Sequence, residues 1–304
     1  MVPSRGRPGH LETCLRGLSM QTRRPDQVVV AVPASDVATR SVAERWRSRT
    51  PFPIAVCPMP GAGVTDAVRA AVDAAVGDVV ALTDDDAVPR PDWLERLGSH
   101  YRRPGVGGAG GRDVLHCLDG TAGGAARAVG RMTWYGRMAG PRELGRGAVH
   151  LVDLLKGVNL SLRRELWVLD PGLRGCGDDQ PMWELAVCLR ARSQGWKLVY
   201  DPAAVVDRYP APRAGDRHPG SAAVRGAVAY NETLSALRWC RWGQKASFLA
   251  YALLVGSRGR PGLLAGLAQL GSGEPAAAAA VTCCLRARLA AVGAWMGGGT
   301  ARRG

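Results

Sequence analysis

Val79-Val80-Ala81-Leu82-Thr83-Asp84-Asp85-Asp86 joins a short apolar run to three consecutive carboxylates, and Ala87-Val88-Pro89-Arg90-Pro91-Asp92-Trp93-Leu94 follows at once. An apolar run of this length reads as a buried strand. Three adjacent charges cannot share its core, because unpaired buried charge is too costly. The triplet therefore belongs where the strand emerges, at its carboxyl end, which is where open α/β sheets bind their ligands. Hard oxygens crowded at one point suit Mg²⁺ or Mn²⁺ carrying a phosphorylated substrate. A solvated acidic turn is the plainer alternative for a bare triplet, and the surrounding sequence decides between them.

Upstream, Leu11, Cys14, Leu15 and Leu18 fall at helical spacing, and Gln27 to Val32 is a β-branched strand. Val37, Val42 and Trp46 lie in a second helical stretch. Pro53 to Cys57 reads as a strand, and Val64, Val68, Val72 and Val76 mark a helical stripe. Downstream, Trp93, Leu94, Leu97 and Tyr101 suggest the next helix. Strands alternating with helices imply parallel pairing through right-handed crossovers, so residues 1–100 read as a doubly wound nucleotide-binding half. Met1 to Pro8 already reads as the loop after a strand. The first strand is thus expected to be a stub, or the natural protein to begin several residues upstream, which the upstream reading frame tests.

Beyond residue 100 the pattern loosens. Gly105 to Arg112 is glycine-rich, and residues 119–150 read as an irregular Gly- and Arg-rich insertion. Leu151 to Leu162 resumes a buried pattern, Trp183 to Ser193 is a helix, and Lys197 to Tyr200 is a short strand. The chain then reads as loop-rich after Pro202 and helical from Asn231.

The 304 residues carry a net charge of +14, almost all of it arginine, with Lys156, Lys197 and Lys245 as the lysines. A basic nucleic-acid-binding protein would explain the charge but not the Asp triplet, so nucleic acid is not an expected partner. Eight cysteines without a CxxC pair suggest neither zinc spacing nor a disulfide framework, and point to a reducing cytosol. No stretch reads as reaching the ~20 apolar residues of a membrane span. Phe248 to Gly256 and Ala276 to Leu285 are apolar segments edged with arginine, so peripheral contact through residues 246–296 with the inner face of a membrane is the expectation.

Two further constellations accompany the triplet. In Lys156-Gly157-Val158-Asn159-Leu160-Ser161-Leu162-Arg163-Arg164, polar Asn159 and Ser161 alternate with apolar neighbours, as on a half-exposed strand. In Gly175-Cys176-Gly177-Asp178-Asp179-Gln180-Pro181-Met182-Trp183-Glu184, a glycine loop brings acids to the start of a helix. Capping explains acids there; a carboxylate partly desolvated beside Trp183 could instead act as a base.

Together these stretches resemble family 2 glycosyltransferases, inverting enzymes of the GT-A fold, over residues 1–210. Thr83-Asp84-Asp85-Asp86 through Trp93-Leu94-Glu95 looks like the family's DxD strand and following helix, Gly157 to Arg164 like its G-x-N-x-S-x-R-R segment, and Leu198 to Val206 like its closing segment. The resemblance implies an α/β, Rossmann-like GT-A domain with a mainly parallel sheet over 1–210 (nucleotide half 1–100, acceptor half 101–210) and a helical, membrane-associated extension over 211–304. It implies a cytoplasmic hexosyltransferase-like enzyme that moves a sugar from a nucleoside diphosphate sugar to a lipid-linked, polysaccharide or small-molecule hydroxyl. Asp84 would contact the ribose and, with Asp86, the divalent ion (Mn²⁺ or Mg²⁺). Pro3, Ser4, Arg5, Arg7, Asp36, Arg69 and Asp85 would line the donor, and Gly157, Asn159 and Trp183 the acceptor. Counting back from Gly195-Trp196 without gaps makes Glu184 the base; by appearance Gly177-Asp178-Asp179 makes it Asp179. The family's late His is replaced by Arg208, which cannot bind a metal but can contact a diphosphate. A degenerate nucleotide-sugar binder and a nucleotidyltransferase are the alternatives.

Overall fold

The computed structural model describes residues 1–59, 61, 63–117, 120–121, 130–139, 147–177, 179–210, 221–257, 259–271 and 275–298. Two compact units form: Met1–Arg131 with Ala139–Val168 and Gln194–Pro212, and Met132–Met138 with Leu169–Ser193 and Arg213–Gly304. The division differs from a cut at residue 210, because Leu169–Ser193 groups with the C-terminal helices.

The first unit opens as the hydrophobic pattern dictates: β1 (Val2–Pro3), α1 (Pro8–Ser19), β2 (Val28–Pro33), α2 (Val37–Arg47), β3 (Ile54–Met59), α3 (Val64–Asp73), β4 (Val79–Leu82), β5 (Ala87–Pro89) and α4 (Trp93–His100). Helix α1 starts on Pro8, whose ring suits a first turn, and buries Leu11, Cys14, Leu15 and Leu18. The valine stripe of α3 is only partly inward. Val68 is buried beside Thr65, Ala67 and Ala71, while Val76 lies past the helix end and is exposed. A spacing of four drifts round a helix of 3.6 residues per turn, so such a stripe cannot stay on one face.

Strands β1, β2 and β3 pair in parallel, Val2 opposite Val30 and Val28 opposite Ile54. Met1 joins this sheet to β4, its N–H donating to Ala81 O at 2.6 Å and its carbonyl accepting from Thr83 N at 3.2 Å. The second half adds β6 (Val106–Cys117), β7 (Gly120–Thr121), β10 (His150–Val152), β11 (Leu160–Arg163) and β12 (Lys197–Arg208); β8 (Arg131–Met132) and β9 (Met138–Ala139) pair as a separate ribbon around Met132–Met138 of the second unit. Strand β11 lies antiparallel between β4 and β6, and β12 runs parallel to β6. Leu11, Leu15, Val30, Val32, Trp93, Leu97 and Val206 belong to one core cluster.

The glycine run forms the first half of a long strand: a Cβ at Gly110 or Gly111 would overlap the carbonyl oxygens of Asn159 or Ala204. Strand β12 does not end at Pro202 but continues to Arg208 after a register shift. Asp201 faces Gly111 and Val205 faces Arg112, so Pro202, Ala203 and Ala204 stand outside the ladder. Proline is tolerated at such a bulge because it owes the ladder no N–H. Much of the expected insertion at 119–150 falls outside the described residues.

The second unit contains α5 (Trp183–Ser193), α6 (Ala222–Trp239), α7 (Trp242–Leu254), the short strands β13 (Gly256–Ser257) and β14 (Arg260–Pro261), α8 (Leu263–Gly271) and α9 (Pro275–Gly298). Helix α6 begins nine residues before Asn231, capped by Ser221, whose Oγ accepts from Val224 N at 3.3 Å. Buried Asn231 on α6 ties down the loop before α5. It accepts from Arg174 N at 2.7 Å and donates to Pro181 O at 2.7 Å and Arg174 O at 2.9 Å. Among the described residues, Ala278–Gly297 is long and apolar enough to cross a membrane by length and composition, with mean hydropathy 1.3. The sequence reading ended the run at Arg286 and Arg288, whereas the helix continues through them. Arg288 is buried and donates to the carbonyls of Pro261 and Arg260.

Candidate active site

The Asp triplet leaves the carboxyl end of β4 as expected, and the loop after β1 meets it there. Ser4 Oγ donates to Asp85 Oδ2 at 2.7 Å, and Arg7 Nη1 lies 3.1 Å from Asp85 Oδ1. Burial pushes the Asp85 carboxyl above the usual range, against the opposing pull of Ser4 and Arg7. Asp36 caps α2 through Thr39 N at 3.1 Å and also accepts from Gly6 N. Its slight burial is outweighed by those hydrogen bonds and by Arg5, so its carboxyl is held below the usual range. Pro3, Ser4, Arg5, Arg7, Asp36 and Asp85 thus form one neighbourhood around the Ser4–Arg7 loop. Arg69 is different: it is exposed on α3 and lies 3.8 Å from Asp66.

The other side of the triplet is closed by β12. Arg208 Nε lies 3.2 Å from Asp86 Oδ1, and its Nη2 lies 3.4 Å from Asp84 Oδ2. Burial alone would lower the Arg208 pKa, but the two carboxylates raise it, so the guanidinium stays charged. Neighbouring Asp207 takes a two-point contact from Arg90, at 2.7 and 3.0 Å, and a contact with His116 Nε2 at 2.9 Å. The His116 ring stacks on Tyr209, with centroids 4.7 Å apart. Lys156 pairs with buried Asp113.

Asp84 and Asp86 are the carboxylates a divalent ion would use. Here a guanidinium spans them, and among the described residues no three His, Cys, Asp or Glu side chains are grouped to hold a metal. The Asp84 and Asp86 oxygens face the Arg208 guanidinium, so a divalent ion placed between them would meet a cation of the chain.

Asn159 is 1% exposed. Its amide N–H groups go to Ala204 O at 2.9 Å and Arg112 O at 3.2 Å, and its Oδ1 accepts from Trp93 Nε1 at 2.9 Å. It therefore seals the β12 bulge, with its polar atoms turned to partners within the protein. Gly157 beside it is buried too.

The base candidates lie in the second unit. Asp179 is exposed on a tight hairpin, exchanging backbone hydrogen bonds with Cys176 at 2.7 and 3.2 Å around Gly177 at φ +60°. Glu184 is half-buried in the first turn of α5, beside buried Trp183. Between them Met182 has φ +66°, the sole positive φ of a non-glycine among the described residues. Such strain gathers at functional loops. Asn231, which holds this loop, carried no sequence signal, since a lone Asn within a helix is ordinary.

A cavity of about 280 Å³ opens in the first unit at the opposite, amino ends of the strands, lined by Val28, Val79, Ala81, Leu97 and Tyr101 among others. The chemistry-bearing side chains are not there.

Comparison with known proteins agrees with this architecture. An uncharacterised protein, y4gI, of Sinorhizobium fredii (strain NBRC 101917 / NGR234) is 28% identical over 142 residues, 44% of this chain and 15% of its own length. The mannosyltransferase PcManGT of Pyrobaculum calidifontis, solved with GDP-Man and Mn²⁺, aligns with TM-score 0.53 and 19% identity over 96% of this chain and 84% of its own. GalNAc-T7 with UDP, GalNAc and Mn²⁺ aligns with TM-score 0.61 and 15% identity over 90% of this chain and 53% of its own. TarS 1–349 of S. aureus with UDP aligns with TM-score 0.56 and 13% identity over 83% and 70%. At these identities the likeness shows the fold, which is GT-A. The description "Glycosyltransferase like family 2" matches residues 1–223, and the chain belongs to that family.

Proposed function

We propose that the protein transfers a sugar from a nucleoside diphosphate sugar to an acceptor hydroxyl with inversion. The observation that carries this is the Asp triplet at the carboxyl end of β4, set between the Ser4–Arg7 loop and Arg208. In this reading Asp84 and Asp36 receive the nucleoside, and the arginines face the diphosphate. The acceptor oxygen loses its proton to a carboxylate and attacks the anomeric carbon. The bond from that carbon to the phosphate oxygen breaks, and its electron pair leaves on the diphosphate. One base suffices, because no covalent sugar intermediate forms.

The base is Glu184, with Asp179 as the alternative. The half-buried position of Glu184 beside Trp183 favours it over exposed Asp179. The acceptor is proposed to be lipid-linked. Trp242, Leu254, Leu263, Leu264 and Leu267 of the second unit are exposed, and a chain of net charge +14 is drawn to anionic lipid. Sedimentation with anionic vesicles tests that part.

The experiment for the reaction is release of nucleoside diphosphate from a panel of nucleotide sugars, with membrane extract as acceptor source. Glu184→Gln should lower turnover by about a hundredfold or more without weakening donor binding, as loss of a general base does. Full activity in Glu184→Gln with loss in Asp179→Asn would transfer the role to Asp179. Absence of both donor binding and release would end the transferase reading.

A further inference from the structure

We propose that Arg208 is the resident cation of the donor site: its guanidinium, fixed between Asp84 and Asp86, faces the departing diphosphate in place of a divalent ion. The proposal rests on the nucleotide-sugar reading above. It comes from a position that the backbone dictates. Strand β12 pairs Arg208 with Ala87 on one side and Leu115 on the other, and Tyr209 N donates to Asp86 O at 2.8 Å. Arg208 is therefore placed one residue from the triplet by the strand ladder, and its side chain does not reach the site through a flexible loop.

The charge pattern follows from this placement. Asp86 is 4% and Arg208 21% exposed as side chains, so the pair is largely shielded from solvent while part of the Arg208 side chain stays accessible. Asp85 turns the other way, to Ser4 and Arg7. Each carboxylate of the triplet thus faces an arginine of this chain. A divalent ion at the Asp84 and Asp86 oxygens would sit against the guanidinium, and like charges at that range repel strongly in a partly buried site. Arginine is never deprotonated at working pH and presents several N–H groups in a plane that matches phosphate oxygens. Two of its nitrogens, Nη2 and Nε, are engaged by Asp84 and Asp86, which orient the guanidinium. In the transfer step those N–H groups donate to the phosphate oxygen as it takes the bonding pair. No proton leaves Arg208, and the acceptor proton goes to the carboxylate base. Asp84 and Asp86 then act as positioning residues for the guanidinium.

The test has an arm that needs no nucleotide. Mn²⁺ is titrated into the full chain and followed by electron paramagnetic resonance, for the parent, Arg208→Ala, Arg208→His, and each of these with Asp86→Asn. The parent should take up no more Mn²⁺ than Asp86→Asn alone. Arg208→Ala and Arg208→His should each gain a site that Asp86→Asn removes. A Mn²⁺ site in the parent that Asp86→Asn abolishes would overturn the proposal, and the parent measurement stands even if a variant misfolds by circular dichroism. In the second arm, UDP and GDP binding is measured by calorimetry in EDTA or in Mn²⁺. The parent should bind equally in both, while Arg208→Ala should bind about tenfold more weakly in EDTA and recover in Mn²⁺. A parent affinity that collapses in EDTA refutes the proposal. If neither nucleotide binds in either buffer, the donor reading fails, and the Mn²⁺ arm alone decides the place of Arg208.

Discussion

Replacing Asn159 should damage stability far more than chemistry. The side chain is buried and engages three groups: the Ala204 and Arg112 carbonyls and the Trp93 indole N–H. Asn159→Ala strands all three, and a buried polar group left without a partner costs about 1–3 kcal/mol. The Arg112 contact is the longest and counts least. The other two, with a small cavity, give an expected loss of about 4 kcal/mol. Asn159→Leu, which keeps the bulk, should lose nearly as much, because the same groups are stranded. The assay is urea unfolding followed by far-ultraviolet circular dichroism, with UDP or GDP binding measured per folded molecule. A loss within about 0.5 kcal/mol, the range of an ordinary surface substitution, would refute the reasoning. If acceptor turnover fell at the same time, Asn159 would belong to the acceptor after all.

Gly111→Ala should be poorly tolerated, because its Cβ would overlap Ala204 O; overpacking of this kind costs about 1–3 kcal/mol or more, read as a fall in the thermal midpoint. The Asp207 carboxyl is held below the usual range, its burial being outweighed by Arg90 and His116. Its contribution is thus present above the unfolded value of about 3.9 and lost as pH falls through the lower folded one, so Asp207→Asn should flatten the acid limb of stability below about pH 4. An unchanged acid limb counts against that network. Asn231→Ala releases the loop carrying Asp179, and trypsin should cut after Arg174 about tenfold faster or more. Unaltered cleavage would mean that other contacts hold the loop.

The sequence was most legible where a strong apolar signal met a residue type that could not follow it inward. The β4 run and its carboxylates are such a place, as are the α1 stripe and α4 after Pro91. It was least legible where backbone proximity did the selecting. Gly110 and Gly111 sit in a strand because carbonyls crowd them, and a glycine run carries no alternation to announce a strand. Pro202 suggested a loop because the bulge that admits it is formed with β6, far away in sequence. Asn159 and Ser161 looked like the polar face of a half-exposed strand, yet both are buried with their hydrogen bonds met by backbone or side-chain partners. Arg208 stood out in sequence only as a departure from a family pattern. That it faces Asp84 and Asp86 depends on strand register, which no local pattern contains.

That register has a consequence for how such a site can change. Strand β12 keeps one alignment with β6 up to Asp201 and resumes another at Val205. Side chains alternate faces along a strand, so one residue gained among Pro202, Ala203 and Ala204, with the three-residue detour kept, would leave the earlier pairing alone and turn everything after it over. Asp207 would then take the place of Arg208 between Ala87 and Leu115, next to the triplet. The sign of the charge offered at this point is therefore written in the number of residues ahead of it as well as in the identity of a codon. A single in-frame insertion could reverse it without touching any residue of the site.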